Sequence, residues 1–143
     1  MYQRLILVGN LGRDPELRYT PNGTPVATMS VAVNRRWNDA QGNPKEETAW
    51  FRVLTYGKQA EVCNQYLTSG RKVLVEGSLV VDDKTGGPRI YQRKDGTYGA
   101  NLEVRATTVR FLSPRGESSP SSERDGFGER EYSENSSEEE LPF

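Results

Sequence analysis

The sequence contains no histidine and only one cysteine among its 143 residues. The absence of histidine removes the usual general base and the usual metal ligand of enzymes. A single cysteine, Cys63, excludes an internal disulfide and any zinc site built from several cysteines. No apolar run approaches the roughly 18 residues of a membrane span, and residues 5–8 are too short for the core of a signal peptide. These gaps exclude many enzymes and favour a soluble intracellular binding protein.

Apolar side chains are also scarce, and the shortage is uneven. They make up 34% of the chain, which is low for a globular protein, and the deficit lies mostly after Leu112. Residues 1–112 carry sixteen basic and eleven acidic side chains (net +5), whereas residues 113–143 carry three and nine (net −6). The second segment has too little apolar area to offset the entropy lost on ordering. We predict a folded domain over 1–112 and a disordered acidic tail over 113–143.

The predicted domain shows mainly the two-residue hydrophobic period of half-buried strands. Five strands are predicted, at residues 4–8 (with a continuation at 16–20), 27–34, 48–56, 72–81 and 100–112. In the last strand the inward set shifts from Leu102, Val104 and Ala106 to Val109 and Phe111. Such a shift predicts a β-bulge near residues 107–108.

One segment has helical spacing. Between Gly57 and Gly70, an apolar series recurs at i, i+3, i+6 and i+7, formed by Ala60, Cys63, Tyr66 and Leu67. The order of three strands, one helix and two strands is that of an OB-fold, a five-stranded Greek-key barrel that binds oligonucleotides or oligosaccharides. A ferredoxin-like fold is the alternative, but it requires a second helix that the pattern does not show. We therefore predict an all-β OB-fold with one helix between its third and fourth strands.

Aromatic and basic side chains alternate along the third predicted strand. Trp50, Arg52 and Tyr56 share one face, and Lys58 follows directly. A flat ring stacks on any nucleobase, and a neighbouring cation holds the adjacent phosphate. The alternative is that both rings belong to the core and the arginine is a solvated charge.

Two further clusters have the same composition. Arg35, Arg36 and Trp37 end the second predicted strand, although the tryptophan could instead fold over its own sheet. The long connection over residues 82–99 places basic residues around Tyr91, and its Asp-Gly turn at 95–96 predicts a β-hairpin. Connections of this length are usually functional, although a mobile surface loop is the alternative.

Catalytic interpretations have little support. The adjacent carboxylates at 46–47 and 82–83 point to opposite faces of a strand, so neither pair converges on one metal ion. Cys63 lies on the predicted inward helix face without a histidine to activate it. We predict no enzymatic activity, no metal and no cofactor, and a metal-dependent nuclease remains only the alternative.

The chain resembles the bacterial single-stranded-DNA-binding proteins over its whole length. The matching segments are residues 7–16, 18–23, 48–53, 56–58, 66–67, 75–77 and 138–143. The resemblance implies an OB-fold homotetramer that coats single-stranded DNA without sequence preference in replication, recombination and repair, in the nucleoid region of the cytoplasm. An RNA-binding OB protein of the cold-shock kind remains the alternative, because stacking alone does not distinguish ribose from deoxyribose.

The resemblance also assigns roles by position. The family's stacking aromatics fall on Trp37, Trp50 and Tyr56, and its basic groove falls on Arg52, Lys58, Arg71 and Lys72. One further aromatic of the family aligns near Lys84, so Tyr91 is the candidate replacement. Together with the basic clusters, the predicted DNA-binding residues are Trp37, Trp50, Tyr56, Arg35, Arg36, Arg52, Lys58, Arg71, Lys72, Tyr91 and Arg93.

The chain ends in three acidic residues followed by an apolar tip. A tail that only kept the protein soluble, the alternative interpretation, would not need an apolar ending. Pro142 restricts its own conformation and that of its neighbour, so less entropy is lost on docking. An apolar pocket with a basic rim would hold the terminal ring and carboxylate. The predicted partner-binding residues are Glu138, Glu139, Glu140, Leu141, Pro142 and Phe143.

Overall fold

The structure is a computed structural model that describes residues 1–113. The predicted acidic tail after Ser113 and its tip therefore lie outside the described residues. The elements are β1 (Leu5–Leu11), β2 (Glu16–Tyr19), β3 (Pro25–Asn38), β4 (Pro44–Tyr56), α1 (Lys58–Tyr66), β5 (Lys72–Val80), β6 (Ile90–Gln92), β7 (Tyr98–Ala100) and β8 (Leu102–Phe111).

Five of the strands close into a barrel. The sheet order is β1-β5-β8-β4-β3-β2, and β1 also pairs with β3, so that β1, β5, β8, β4 and β3 form a ring. The β4–β8 pair is parallel, and the other pairs in the ring are antiparallel. This arrangement, with α1 between the third and fourth barrel strands, is an OB-fold, as the sequence predicts.

Alternate strand residues fill the barrel interior. Met29, Val31, Val53, Val73 and Val75 are fully buried. The helix contributes to the same core, which also contains Cys63 and Leu67. Tyr66 was predicted to share that face, but its side chain is 50% exposed. The prediction was wrong because α1 ends at Tyr66, and the extended backbone of Leu67 carries the next side chain into the core.

The β3–β4 hairpin extends beyond the barrel. The first strand ends at Asn38, next to its predicted end at Trp37, but the second begins at Pro44, four residues earlier than predicted, and the two stay paired to these ends. Two cross-strand ion pairs join the extended part: Arg35 to Glu47 at 3.5 Å and Arg36 to Glu46 at 3.2 Å. Opposite charges that face each other across two strands stabilise their pairing without hydrophobic alternation. The alternation therefore does not show the first four residues of β4.

The predicted bulge and hairpin are both present. The β5–β8 register shifts between Glu76 and Gly77, and the extra residue Thr107 donates its hydroxyl to the Glu76 carbonyl at 3.1 Å. The β6–β7 hairpin occupies residues 90–100, one residue beyond the predicted connection, and in its turn the Arg93 amide donates to the Thr97 carbonyl at 2.7 Å. Leu102 and Phe111 were predicted to point inward, but they are 46% and 39% exposed, because they are the first and last residues of β8.

Candidate nucleic-acid interface

The outer face of β4 presents aromatic and basic side chains to solvent. Trp50 is 53% exposed and Tyr56 is 40% exposed, whereas the intervening Val53 and Thr55 are fully buried. Arg52 lies between the two rings and is also exposed. The strand alternation therefore turns this set away from the core, and the alternative in which both rings are core residues is wrong.

The register extends this face across three neighbouring strands. Trp50 pairs with Ala32, Ala32 also pairs with Asn10, and Asn10 pairs with Lys72. Paired residues point to the same side of a sheet, so Lys72 shares the outer face at roughly 14 Å from Trp50. Its predecessor Arg71 is partly buried, and its carbonyl accepts the Leu11 amide at 2.9 Å. The predicted pair 71–72 therefore lies at the edge of this surface.

Trp50 borders a depression of about 230 Å³ whose lining also includes Arg13, Glu16 and Arg52. Gly12 lies against the ring, since a Cβ atom there would come within 2.5 Å of Trp50 Cζ3. The hydrogen bond and charge of Arg18 lower the pKa of Glu16, and the charges of Arg13 and Arg52 lower it further. The depression therefore combines an open aromatic surface with a cluster of positive charge.

Arg52 is held by a buried carboxylate. Its Nη1 lies 3.8 Å from Oε1 of Glu103, and the other carboxylate oxygen lies 3.9 Å from Nη1 of Arg89. The Glu103 side chain is only 9% exposed. Glu103 therefore links the outer face of β4 to the segment that precedes β6. This link was not predicted from the sequence.

Tyr56 has a basic neighbour on β8. The guanidinium carbon of Arg105 lies 5.4 Å from the centroid of the Tyr56 ring, within cation–π range. Arg105 was not among the predicted residues, because it reaches this ring through the parallel pairing of β4 with β8, which no local pattern indicates. Its alternation with Val104 and Ala106 is the local signal that it points outward. Lys58 begins α1 close by, and its Nζ lies 3.8 Å from Glu61.

Trp37 lies on the extended part of the β3–β4 hairpin. It is 38% exposed, and the Arg35 guanidinium carbon lies 5.0 Å from its ring centroid. With Arg36 and Lys45 it lines a depression of about 630 Å³. Strand parity places Trp37 on the opposite side of the hairpin from Trp50. The two tryptophans therefore do not share one flat surface.

The β6–β7 hairpin carries the third predicted cluster. Tyr91 is 43% exposed, and the Arg93 guanidinium carbon lies 5.8 Å from its ring centroid. Arg93 Nη1 also donates to the Tyr98 carbonyl at 2.9 Å. Lys84, where the family's aromatic was expected, belongs instead to a turn in which Asp82 accepts its amide at 2.9 Å. Hydrogen bonds from the amides of Thr85 and Lys84 lower the pKa of Asp82.

The predicted basic residues differ in how far they are neutralised. Four of them face carboxylates in ion pairs: Arg35, Arg36, Arg52 and Lys58. Within residues 1–113, the predicted residues Lys72 and Arg93 have no carboxylate within ion-pair distance, and neither has Arg105, which was not predicted. Lys72, Arg93 and Arg105 therefore carry positive charge that no carboxylate in residues 1–113 neutralises through an ion pair.

Residues 1–113 contain no group of three histidine, cysteine or acidic side chains that could hold a metal ion. Burial raises the pKa of the Cys63 thiol to about 11, so the thiol stays protonated at neutral pH. Over the same residues, no helix has the length and apolar character needed to cross a membrane.

Comparison with known proteins gives consistent matches. The model of the Single-strand binding protein family matches residues 2–112. A Single-stranded DNA-binding protein of Neisseria meningitidis serogroup A (strain Z2491) is 39% identical over 127 residues, covering 88% of this chain and 69% of that protein. A Single-stranded DNA-binding protein from Wolinella succinogenes is 38% identical over 118 residues, covering 82% of this chain and 68% of that protein.

Two solved structures resemble the chain in fold. A deletion mutant of the single-stranded DNA binding protein from Thermus aquaticus gives a TM-score of 0.60 at 31% identity, covering 79% of this chain and 51% of that one. The present chain thus spans about half the length of the Thermus protein. The Plasmodium falciparum SSB in complex with ssDNA gives a TM-score of 0.64 at 26% identity, covering 79% of this chain and 96% of that one.

Proposed function

The chain belongs to the single-strand binding protein family, and on that premise we propose that it binds and coats single-stranded DNA. The observation that carries the proposal is the exposed series Trp50, Arg52 and Tyr56 on the outer face of β4. Stacking on such rings tolerates every base, so the protein binds without sequence preference. It acts by occupying the strand and catalyses no reaction on it.

The proposed contacts lie on more than one side of the barrel. They comprise the aromatics Trp37, Trp50, Tyr56 and Tyr91, and the basic residues Arg35, Arg36, Arg52, Lys58, Arg71, Lys72 and Arg93. Because Trp37 and Trp50 lie on opposite sides of the β3–β4 hairpin, the bound DNA strand wraps around this hairpin.

We also propose that four copies assemble. Ile6 and Val8 point outward from β1 and are 57% and 48% exposed. Two apolar side chains on one face of a strand favour association with another subunit. A homotetramer would bury them and place several DNA-binding surfaces in one particle.

The chain is proposed to have two functional parts. Residues 1–112 form the DNA-binding domain, and residues 113–143 form an acidic tail that recruits proteins of replication, recombination and repair. Partners bind the segment 138–143 through the ring of Phe143 and the acidic residues before it. Because DNA and these partners are its proposed ligands, the protein is proposed to act in the nucleoid region of the cytoplasm.

The proposed function is tested by competition. A fluorescently labelled oligo-dT is bound to the full-length chain, and its anisotropy is followed as unlabelled competitors are added. Single-stranded DNA of mixed sequence should displace the probe efficiently, whereas RNA of equal length and duplex DNA should do so weakly. Equal displacement by RNA would instead support a general single-strand or RNA-binding protein.

A further inference from the structure

The outer face of β4 continues onto β8. In the parallel register Arg52 pairs with Glu103 and Leu54 pairs with Arg105. Paired residues point to the same side of the sheet, and the neighbouring Val104 points into the core, where it is fully buried. Arg105 therefore extends the surface that carries Trp50 and Tyr56 by one strand.

Arg105 and Arg52 differ in how far a neighbouring carboxylate neutralises their charge. Arg52 lies 3.8 Å from the carboxylate of Glu103, which partly neutralises it. The Arg105 side chain is exposed and forms no ion pair or hydrogen bond with any other residue in 1–113. Its guanidinium carbon lies 5.4 Å from the centroid of the Tyr56 ring. A cation–π contact leaves the five N–H donors of the guanidinium available.

We propose that Tyr56 and Arg105 together form a subsite for one nucleotide, a proposal that rests on the function proposed above. The Tyr56 ring, 40% exposed, stacks on a base, and the Arg105 guanidinium holds the adjoining phosphate through paired hydrogen bonds. The bound strand therefore leaves β4 at Tyr56 and crosses onto β8.

Salt dependence of binding tests this subsite directly. Arg105→Ala and Arg105→Gln are compared with the intact chain in titrations of labelled oligo-dT over a range of salt concentrations. Losing one phosphate contact should reduce the steepness of the log–log plot by about 0.7 and weaken binding by about tenfold. Arg105→Lys should retain the slope with an intermediate affinity, because it keeps the charge and loses the planar fork.

Arg110 provides the matched control. It is exposed on the same strand, five residues or roughly 17 Å from Arg105, and pairs with Leu74 away from Tyr56. Arg110→Ala removes the same charge and should change slope and affinity little. Thermal unfolding checks that each variant is folded, and the glutamine variant, which keeps much of the aliphatic stem, replaces the alanine variant if the latter unfolds.

Three results would overturn the proposal. Equal losses in Arg105→Ala and Arg110→Ala would mean that only overall charge matters. Weaker binding of Arg105→Ala with an unchanged salt slope would mean that Arg105 only supports the Tyr56 ring. Failure of the intact chain to bind oligo-dT would reject the proposed function itself. This result differs from a failure of the subsite alone, because it is seen without any arginine variant.

Discussion

At the scale of single residues, the position of the Trp50 ring depends on a glycine. A Cβ atom at residue 12 would lie 2.5 Å from Cζ3 and 2.8 Å from Cη2 of Trp50, so a larger residue there must displace the ring. The ring is half exposed and free to move away, so the barrel should lose little stability. If bases stack on Trp50 as proposed, Gly12 would set the position of the stacking ring without contacting the base itself.

We expect Gly12→Ala to weaken binding of single-stranded DNA by up to the value of one base stack, about 1–3 kcal/mol. Its free energy of unfolding should change by less than about 1 kcal/mol. A double-mutant cycle with Trp50→Ala, measured by oligo-dT titration, should show that the two losses do not add. Full additivity, or unchanged affinity in Gly12→Ala, would mean that the glycine does not act through the ring.

Glu103 holds two arginines that could otherwise contact phosphates. Its carboxylate oxygens lie 3.8 Å from Arg52 and 3.9 Å from Arg89, and a negative charge there opposes the approach of a phosphate. We expect Glu103→Gln to tighten binding at low salt by about fivefold, on the order of 1 kcal/mol. The measurement is the affinity for oligo-dT as a function of salt.

The matched control is Glu76→Gln. Glu76 forms an ion pair with Arg4 at 2.9 Å, outside the proposed path of the DNA. This variant should bind with nearly the affinity of the intact chain. Weaker binding by Glu103→Gln would indicate that the carboxylate positions Arg52 for the phosphate more than it competes with it.

At the scale of elements, the β6–β7 hairpin carries two exposed tyrosines in different surroundings. Tyr91 has the Arg93 guanidinium near its ring, whereas Tyr98 is 69% exposed and has no arginine over its ring within the described residues. An aromatic beside a cation suits a base and its phosphate together. Tyr91 is therefore the tyrosine expected to contact DNA.

We expect Tyr91→Ala to lose about 1–3 kcal/mol of binding free energy, while Tyr98→Ala stays close to the intact chain. Both variants should unfold at similar temperatures, because both side chains are exposed on a separate two-stranded sheet. Oligo-dT long enough to span the particle is the appropriate probe. Equal effects of the two substitutions would show that the hairpin contributes without a specific stacking residue.

The elements also show what the sequence could and could not predict. Hydrophobic alternation located the barrel strands, and local signals located the helix, the bulge at Thr107 and the hairpin turn at Gly96. The positions of Gly12 under Trp50, of Glu103 between two arginines and of Arg105 beside Tyr56 were missed. Each depends on strands that meet across the barrel, and such contacts have no local periodicity.

At the scale of the whole molecule, Ile6 and Val8 lie exposed on the outside of β1. We expect the intact chain to scatter light as a tetramer at micromolar concentration, and Ile6→Asp to dissociate it, because a charge would be buried at the interface. Ile90→Asp is the control, since Ile90 is 69% exposed on the β6–β7 hairpin. A monomeric intact chain would contradict the proposed assembly.

The central claim is that single-stranded DNA binds by stacking on the outer face of β4. The chain has two tryptophans, so Trp37→Phe leaves Trp50 as its only tryptophan. The most direct measurement is the fluorescence of this variant during titration with oligo-dT, with anisotropy of a labelled oligonucleotide recorded in parallel. We expect Trp50 emission to be strongly quenched, reaching saturation at the same stoichiometry as the anisotropy. Unchanged Trp50 emission at saturated anisotropy would contradict the claim, because DNA would then bind elsewhere.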